Sequence, residues 1–341
     1  MYPSLLTSTL ALLLALPIVA QAQTRKSDPD TFAINQRLGR GINLGNALDA
    51  PTEGEWGVKL EESYFQIIAD AGFNSVRIPV RWSAHAAKEA PYTIDPAFMA
   101  RVDWAVTQAT ARKLAVILNV HHYVEMDENP LPHVERLKAI WRQIAQHFAD
   151  RPDTVVFEAL NEPHGKFLPA TWNTVLPQVL AVIRESNPKR VVIVGPAHWN
   201  HVSGLKDFQL PNDGKLIVTI HYYEPYHFTH QGAEWDPQAA AWMGTTWTNT
   251  PTQELALRTE LDTAAKWGED HGVPINMGEF GAYKKADMDS RVRWTRFVVS
   301  EAEKRGMSWA YWEFCAEFGA YDPEKHEWRK PLLGALLGDK K

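Results

Sequence analysis

Thr154–Pro163 reads TVVFEALNEP, a short apolar run rich in β-branched residues that stops abruptly in polar ones. It lacks the strict alternation of a strand with one face in water. A near-continuous apolar run that ends at a turn-former describes a parallel strand buried on both faces. Similar runs lie at Arg40–Leu44, Ser75–Val80, Ala115–Val120, Val191–Gly195, Leu216–His221, Pro274–Phe280 and Ser308–Phe314. With Val155–Leu160 they make eight.

The intervening segments carry a helical period. Leu60–Ala71 puts Leu60, Tyr64, Ile67, Ile68 and Ala71 on one face, and Glu135–Phe148 does so with Leu137, Ile140, Trp141, Ile144 and Phe148. Trp172–Ile183 and Arg291–Ala302 repeat the i, i+3, i+4, i+7 spacing. Eight strands alternating with helices predict an α/β fold, a single (β/α)8 TIM barrel. The competitor, a doubly wound open sheet, usually carries a glycine-rich phosphate turn after its first strand, and Gly41–Gly45 does not match that fingerprint.

Composition narrows the function. A formal net charge of −6 disfavours nucleic acid and anionic membrane as partners, since both require a basic surface. The lone Cys315 excludes an intramolecular disulfide. Tryptophan is abundant, with 14 copies. The apolar run from Leu10 to Ala20 is of signal-peptide length and too short for a membrane span, and Ala20-Gln21-Ala22 offers the small residues of a cleavage site. No Lys or Arg precedes the run, unlike a standard signal. The expected division is a signal peptide over 1–22, cleaved near Ala22/Gln23, and one catalytic barrel over 23–341, exported to the periplasm or medium as a monomer.

In a barrel, polar residues at the C-terminal strand ends share one face, and that face carries the chemistry. Read in order, these ends give Asn43 and Asn46, Arg77, His121 and His122, Asn161 and Glu162, His198 and Trp199, His221 and Tyr223, Glu279, then Trp312 and Glu313. The sharpest pair is Glu162 in Asn161-Glu162-Pro163 and Glu279 in Gly278-Glu279-Phe280-Gly281. Two facing carboxyls are what glycoside hydrolysis needs: one protonates the leaving oxygen, and the other attacks the anomeric carbon or activates water.

The set Asn161-Glu162-Pro163, Gly278-Glu279-Phe280-Gly281, Arg77-Ile78-Pro79, His121-His122 and His221-Tyr222-Tyr223 resembles glycoside hydrolase family 5. The stretches GRGINLGNALDAPTEGEWGV, SVRIPVRWSAHA, HYYEPYHFTHQGAEW and SWAYWEFC are similar to its hyperthermophilic bacterial endo-β-1,4-glucanases, whose members often accept mannans. The likeness runs from about Phe32 to Leu337. It implies a retaining mechanism, with Glu162 as acid/base and Glu279 as nucleophile, and no cofactor. The nucleophile must stay ionised, for which Arg77 and Tyr223 are the candidate donors. The resemblance further implies that Asn161 bonds the sugar 2-OH and that His121, His122, His221, His230 and Trp235 meet sugar or carboxylate. Asn46 and Asp49 are expected on the glycone side, Asp49 standing where relatives often carry Glu. Trp312 ends strand eight, where its ring can stack on a pyranose.

The histidines also invite a metal reading, but no HExxH or comparable spacing accompanies them, and no metal is expected. The aromatic-rich segment from His221 to about Thr252 reads as a wall of the sugar cleft. Trp141, Trp172, Trp267 and Trp294 read as core between helices and barrel, and Glu324–Lys330 as a solvated loop. The function so read is a secreted endo-β-1,4-glucanase acting on β-linked polysaccharide, mixed-linkage glucan and glucomannan included. A β-mannanase is the alternative on the same residues.

Overall fold

A computed structural model describes residues 25–338. The signal peptide expected over 1–22 lies outside the described residues. Eight parallel strands close on themselves in sequence order: β1 (Arg40–Asn43), β2 (Ser75–Ile78), β3 (Ala115–Asn119), β4 (Val155–Glu158), β5 (Val192–Val194), β6 (Leu216–Tyr222), β7 (Ile275–Phe280) and β8 (Ser308–Tyr311). Closure comes from β8 pairing with β1, Gly41 opposite Ala310. An open sheet would leave β1 and β8 as edges, so the doubly wound alternative is excluded.

The helices are α1 (Pro29–Leu38), α2 (Glu62–Ala71), α3 (Pro96–Ala111), α4 (Val124–Glu128), α5 (Pro130–His147), α6 (Pro169–Ser186), α7 (Tyr226–Thr229), α8 (Pro251–His271), α9 (Met288–Lys304) and α10 (Lys330–Leu337). Each of the four periodic segments read from sequence falls on one of them, although Leu60 precedes α2 and Phe148 follows α5. No described helix is long and apolar enough to cross a membrane. After β5 a 3-10 turn over Val202–Asp207 stands where a full helix would repeat.

Two apolar layers hold the barrel. The larger lies mainly between strands and helices, and three buried tryptophans bolt the helices on. Trp141 Nε1 donates to Ala159 O at 2.8 Å, Trp172 Nε1 to Gly195 O at 2.8 Å, and Trp294 Nε1 to Glu224 O at 3.0 Å. Each bond ends just beyond a strand, so helix packing fixes the loops that build the mouth. Trp267 is only partly buried, against Phe208 and the His271 ring. The smaller layer fills the opposite end: Ala115, Ile117, Val156, Ile193 and Ile217 point inward onto Leu38 and Ile34 of α1. Asn35 of that helix donates to Ile275 O at 3.2 Å and accepts from Ser308 Oγ at 2.7 Å. α1 is the plug of the barrel floor.

The tail departs from its sequence reading. β9 (Tyr321–Asp322) pairs antiparallel with β10 (Glu327–Trp328) as a two-stranded hairpin. Trp328 packs against Phe73 and Phe314, an aromatic anchor that outweighs the surrounding charges.

Candidate active site

The strand ends converge on a cavity of about 1070 Å³. At its base Arg77 on β2 is fully buried and uses all five of its guanidinium hydrogens. Nε and Nη2 reach Glu158 at 2.7 Å each, Nη1 reaches Glu279 Oε1 at 2.7 Å and Asn43 Oδ1 at 2.9 Å, and Nη2 reaches Asn161 Oδ1 at 2.7 Å. One cation thus ties β1, β2, β4 and β7 together and faces two carboxylates.

Glu279 ends β7, where the register slips against both neighbours. His221 pairs with Glu279 directly after Ile220 pairs with Met277, so Gly278 is skipped. The slip turns the carboxylate into the mouth. A Cβ at Gly278 would come within 2.7 Å of Thr219 Oγ1 and 3.0 Å of His221 Nε2, which is why glycine stands there. Besides Arg77, Glu279 accepts from the Tyr223 hydroxyl at 2.9 Å.

Glu162 enters from the β4 end with φ 45, a left-handed conformation that costs a non-glycine residue about 1–2 kcal/mol. His164 Nδ1 donates to its carbonyl at 2.6 Å and holds that turn. His221 Nδ1 lies 2.6 Å from Glu162 Oε1 and 3.7 Å from Glu279 Oε2. Oxygens of the two glutamates come within 4.8 Å of each other, near the roughly 5–5.5 Å separation of retaining pairs.

Burial drives the electrostatics. It pushes Glu162 up to about 7, against the opposing pull of Arg77. Glu279 is also raised by burial, with His221 and Arg77 pulling it back. Two carboxyls this close do not ionise together at neutral pH. The donors decide which one does: Glu279 has the guanidinium and the phenol, whereas the backbone turn of Glu162 brings it no cation in hydrogen-bond contact. Burial lowers His221 to about 4 and holds His121 well below its usual value, so both rings are neutral.

Ten of the residues expected to catalyse or touch substrate line the cavity, Asn46, His121, His122, Glu162, His221, Tyr223, His230, Trp235, Glu279 and Trp312, and the strand-end residues His198 and Trp199 line it with them. Trp312 lies parallel to the His121 ring, 5.7 Å between centroids. Arg77 and Asn161 stand behind the wall, as does Asp49. Asp49 was expected to touch sugar, yet it is fully buried. Its short carboxylate turns onto the Ala47 and Asn46 backbone N–H groups, 2.8 and 3.1 Å away, and lies 4.0 Å from His122 Nε2. It supports Asn46 and His122 from below. Two clusters, Asp49–His121–His122 and Glu162–His221–Glu279, bring ligand-type atoms within 4.8 Å. The first spends its carboxylate on backbone donors, and the second already holds the Arg77 cation.

The aromatic wall after β6 divides. Tyr223, Tyr226, His230 and Trp235 face the cavity, whereas Tyr222, Phe228 and Trp247 are core. Trp242 packs on Tyr226 and His227. Three lining residues, and Glu158 buried behind the cavity, were not read from sequence as contacts. Trp199 is half-exposed and stacked at 4.9 Å on His164, beside Glu162. Trp56 sits edge-on to His122. Tyr283 donates toward Glu234 and Glu317 on the rim. Glu158 carried a signal, since an acid inside a buried strand demands a cation; that the cation is Arg77, two strands away across β3, is set by the barrel.

The model of the family described as cellulase, glycosyl hydrolase family 5, matches residues 39–318. Endoglucanase H of Acetivibrio thermocellus is 36% identical over 293 residues, 86% of this chain; the chain spans only 31% of that protein's length. Endoglucanase B of Ruminococcus albus is 30% identical, over 92% of this chain and 82% of its own. A crystal structure of Thermotoga maritima Cel5A with mannotriose superposes with a TM-score of 0.89 at 48% identity, over 90% of this chain and 100% of that one, and the same protein with cellobiose does equally well. With the barrel, the paired glutamates and the matched span in agreement, this chain belongs to glycosyl hydrolase family 5.

Proposed function

We propose that the chain is a retaining endo-β-1,4-glucanase, with Glu279 as nucleophile and Glu162 as acid/base. The observation that carries the reading is the asymmetry between two carboxyls within 4.8 Å: Arg77 and Tyr223 donate to Glu279, while burial pushes Glu162 up to about 7. Glu279 attacks the anomeric carbon as the glycosidic bond breaks, and the Glu162 proton passes to the leaving oxygen. The glycosyl ester that forms removes the Glu279 charge, so Glu162 now rests as a carboxylate. It takes a proton from water as that water attacks the same carbon, and the ester bond breaks. Both residues return to their starting states, with net retention.

Asn161, anchored by Arg77, is the group proposed to bond the sugar 2-OH, where a hydrogen bond strengthens in the transition state. Trp312 and Trp199 flank the glutamates as stacking platforms, the second on the side of the acid and therefore of the leaving group. Mixed-linkage glucan and glucomannan are proposed as further substrates. A mannan-cleaving reading is favoured by one observation, the mannotriose held by the Thermotoga maritima protein. Turnover on carboxymethylcellulose should exceed that on galactomannan, and anomer-resolved NMR of the first product should show retention. Inversion, or inactivity on every glucan, would sink the reading. Export is proposed from residues 1–22, and a mature protein beginning at Gln23 in the periplasm or medium is the expected result of N-terminal sequencing.

A further inference from the structure

His221 touches both glutamates, and the group that settles its protonation lies one step behind it. Asn200 is fully buried, left-handed at φ 54, and its backbone oxygen accepts from His221 N at 2.9 Å. Its amide nitrogen lies 3.4 Å from His221 Nε2. Its amide oxygen is buried without a partner and rests over Gly195, where a Cβ would approach it to 2.3 Å. With the amide nitrogen turned toward the ring, the side chain offers Nε2 a donor and favours the ring in which Nε2 is bare. A neutral ring then carries its proton on Nδ1, the nitrogen 2.6 Å from Glu162 Oε1.

We propose that Asn200 is a positioning residue that fixes the Nδ1–H tautomer of His221 and so directs the acid proton of Glu162 onto Oε2. The proposal rests on Glu162 being the acid/base. Oε1, accepting from Nδ1–H, has no room for a proton of its own in that direction. The opposite tautomer would present a bare Nδ1, draw the proton to Oε1, and point it away from the sugar. When the proton leaves with the glycosidic oxygen, the same Nδ1–H stays in place as a donor to the new carboxylate. The ring is surrounded by Glu158, Glu162 and Glu279 as acids, Arg77 as a cation, and the neutral His121 and Tyr223. Glu158 and Glu279 are bonded to Arg77 directly and Glu162 meets only Nδ1, which leaves the neutral amide as the group that faces Nε2.

Nitrogen NMR of the full chain, with His221 assigned by difference against H221Q, reads the tautomer without reference to activity. Nδ1 should be protonated and Nε2 bare at neutral pH; an imidazolium or an Nε2–H ring would overturn the proposal. In N200A the ring should become Nε2–H or a mixture. Turnover on glucan should fall roughly tenfold or more, while kcat/KM for a dinitrophenyl β-cellobioside, whose leaving group needs no proton in the first step, should lose less than about twofold. An unchanged tautomer in N200A, or equal loss on both substrates, would also overturn it. The nearly isosteric N200D, which offers Nε2 only an acceptor, should protonate Nε2 and covers the case in which N200A fails to fold. Full glucan turnover by E162Q would instead remove the acid assignment, whatever the tautomer.

Discussion

Arg77 is one side chain with five bonds, and most of the site's chemistry follows from it. A lysine there keeps the charge but has three donors and no fork, so it cannot span Glu158, Glu279, Asn43 and Asn161 together. R77K should lose at least about 2 kcal/mol of stability in chemical denaturation, because buried acceptors are left unmet. It should also lose turnover. E279A should lower kcat by roughly 10,000-fold or more while oligosaccharide binding persists in calorimetry; near-normal turnover would remove Glu279 as nucleophile. Glu162, raised to about 7, must be protonated to act. Activity should therefore hold at pH values below about 7 and decline as pH rises through it, and a pH–rate profile flat to well above neutrality would contradict the assignment.

At the scale of elements, the loops after the strands are where backbone strain gathers. Asn46, His122, Glu162, His198, Trp199 and Asn200 are all left-handed, and all but one line the cavity. Strain of this kind survives only where surrounding structure over-determines it. After β5 three such residues follow one another and hold Trp199 out over the acid side. W199A should raise KM for longer oligosaccharides by about two- to tenfold, the worth of one stacking contact, with a smaller effect on kcat. An unchanged KM on every chain length would show that the ring meets no sugar. The slip at Gly278 belongs here too, since a strand in regular register would point the residue after Met277 elsewhere.

For the whole molecule, the barrel is stabilised from its floor and strained at its mouth. L38A, which opens the plug formed by α1, should cost about 2–5 kcal/mol in urea unfolding without changing KM. The mouth carries an opposite burden. Burial raises both Asp49 and Glu313 to about 7, although backbone N–H groups favour their ionised forms. An acid whose folded pKa lies above its unfolded one binds its proton more tightly in the native state. The stability it contributes is complete below the ordinary carboxyl range and is lost as pH rises to about 7. Melting temperature should accordingly fall between about pH 4.5 and 7.5 in wild type, and less steeply in D49N; a rise across that window would refute the sign.

Much of this was legible in residue order alone. Eight apolar runs separated by helical periods specify a parallel α/β sheet buried on both faces and favour a barrel, while the β8–β1 pairing that closes it is seen only in the folded structure. A barrel in turn sends every strand end to one face, which is how Glu162 and Glu279 could be paired across a long stretch of chain. Tertiary structure alone decided what lies one layer back. Asp49 left the sugar for the backbone because its side chain is short, and Trp247 became core while Trp199 became surface. Glu158 could be read as needing a cation, but only the packed barrel made Arg77 its partner, and Asn200 acquired meaning only through His221. The reason is physical: period and polarity say which way a side chain faces along its own element, but hydrogen-bond partners are set by distances between elements, and those are fixed only when the whole barrel packs.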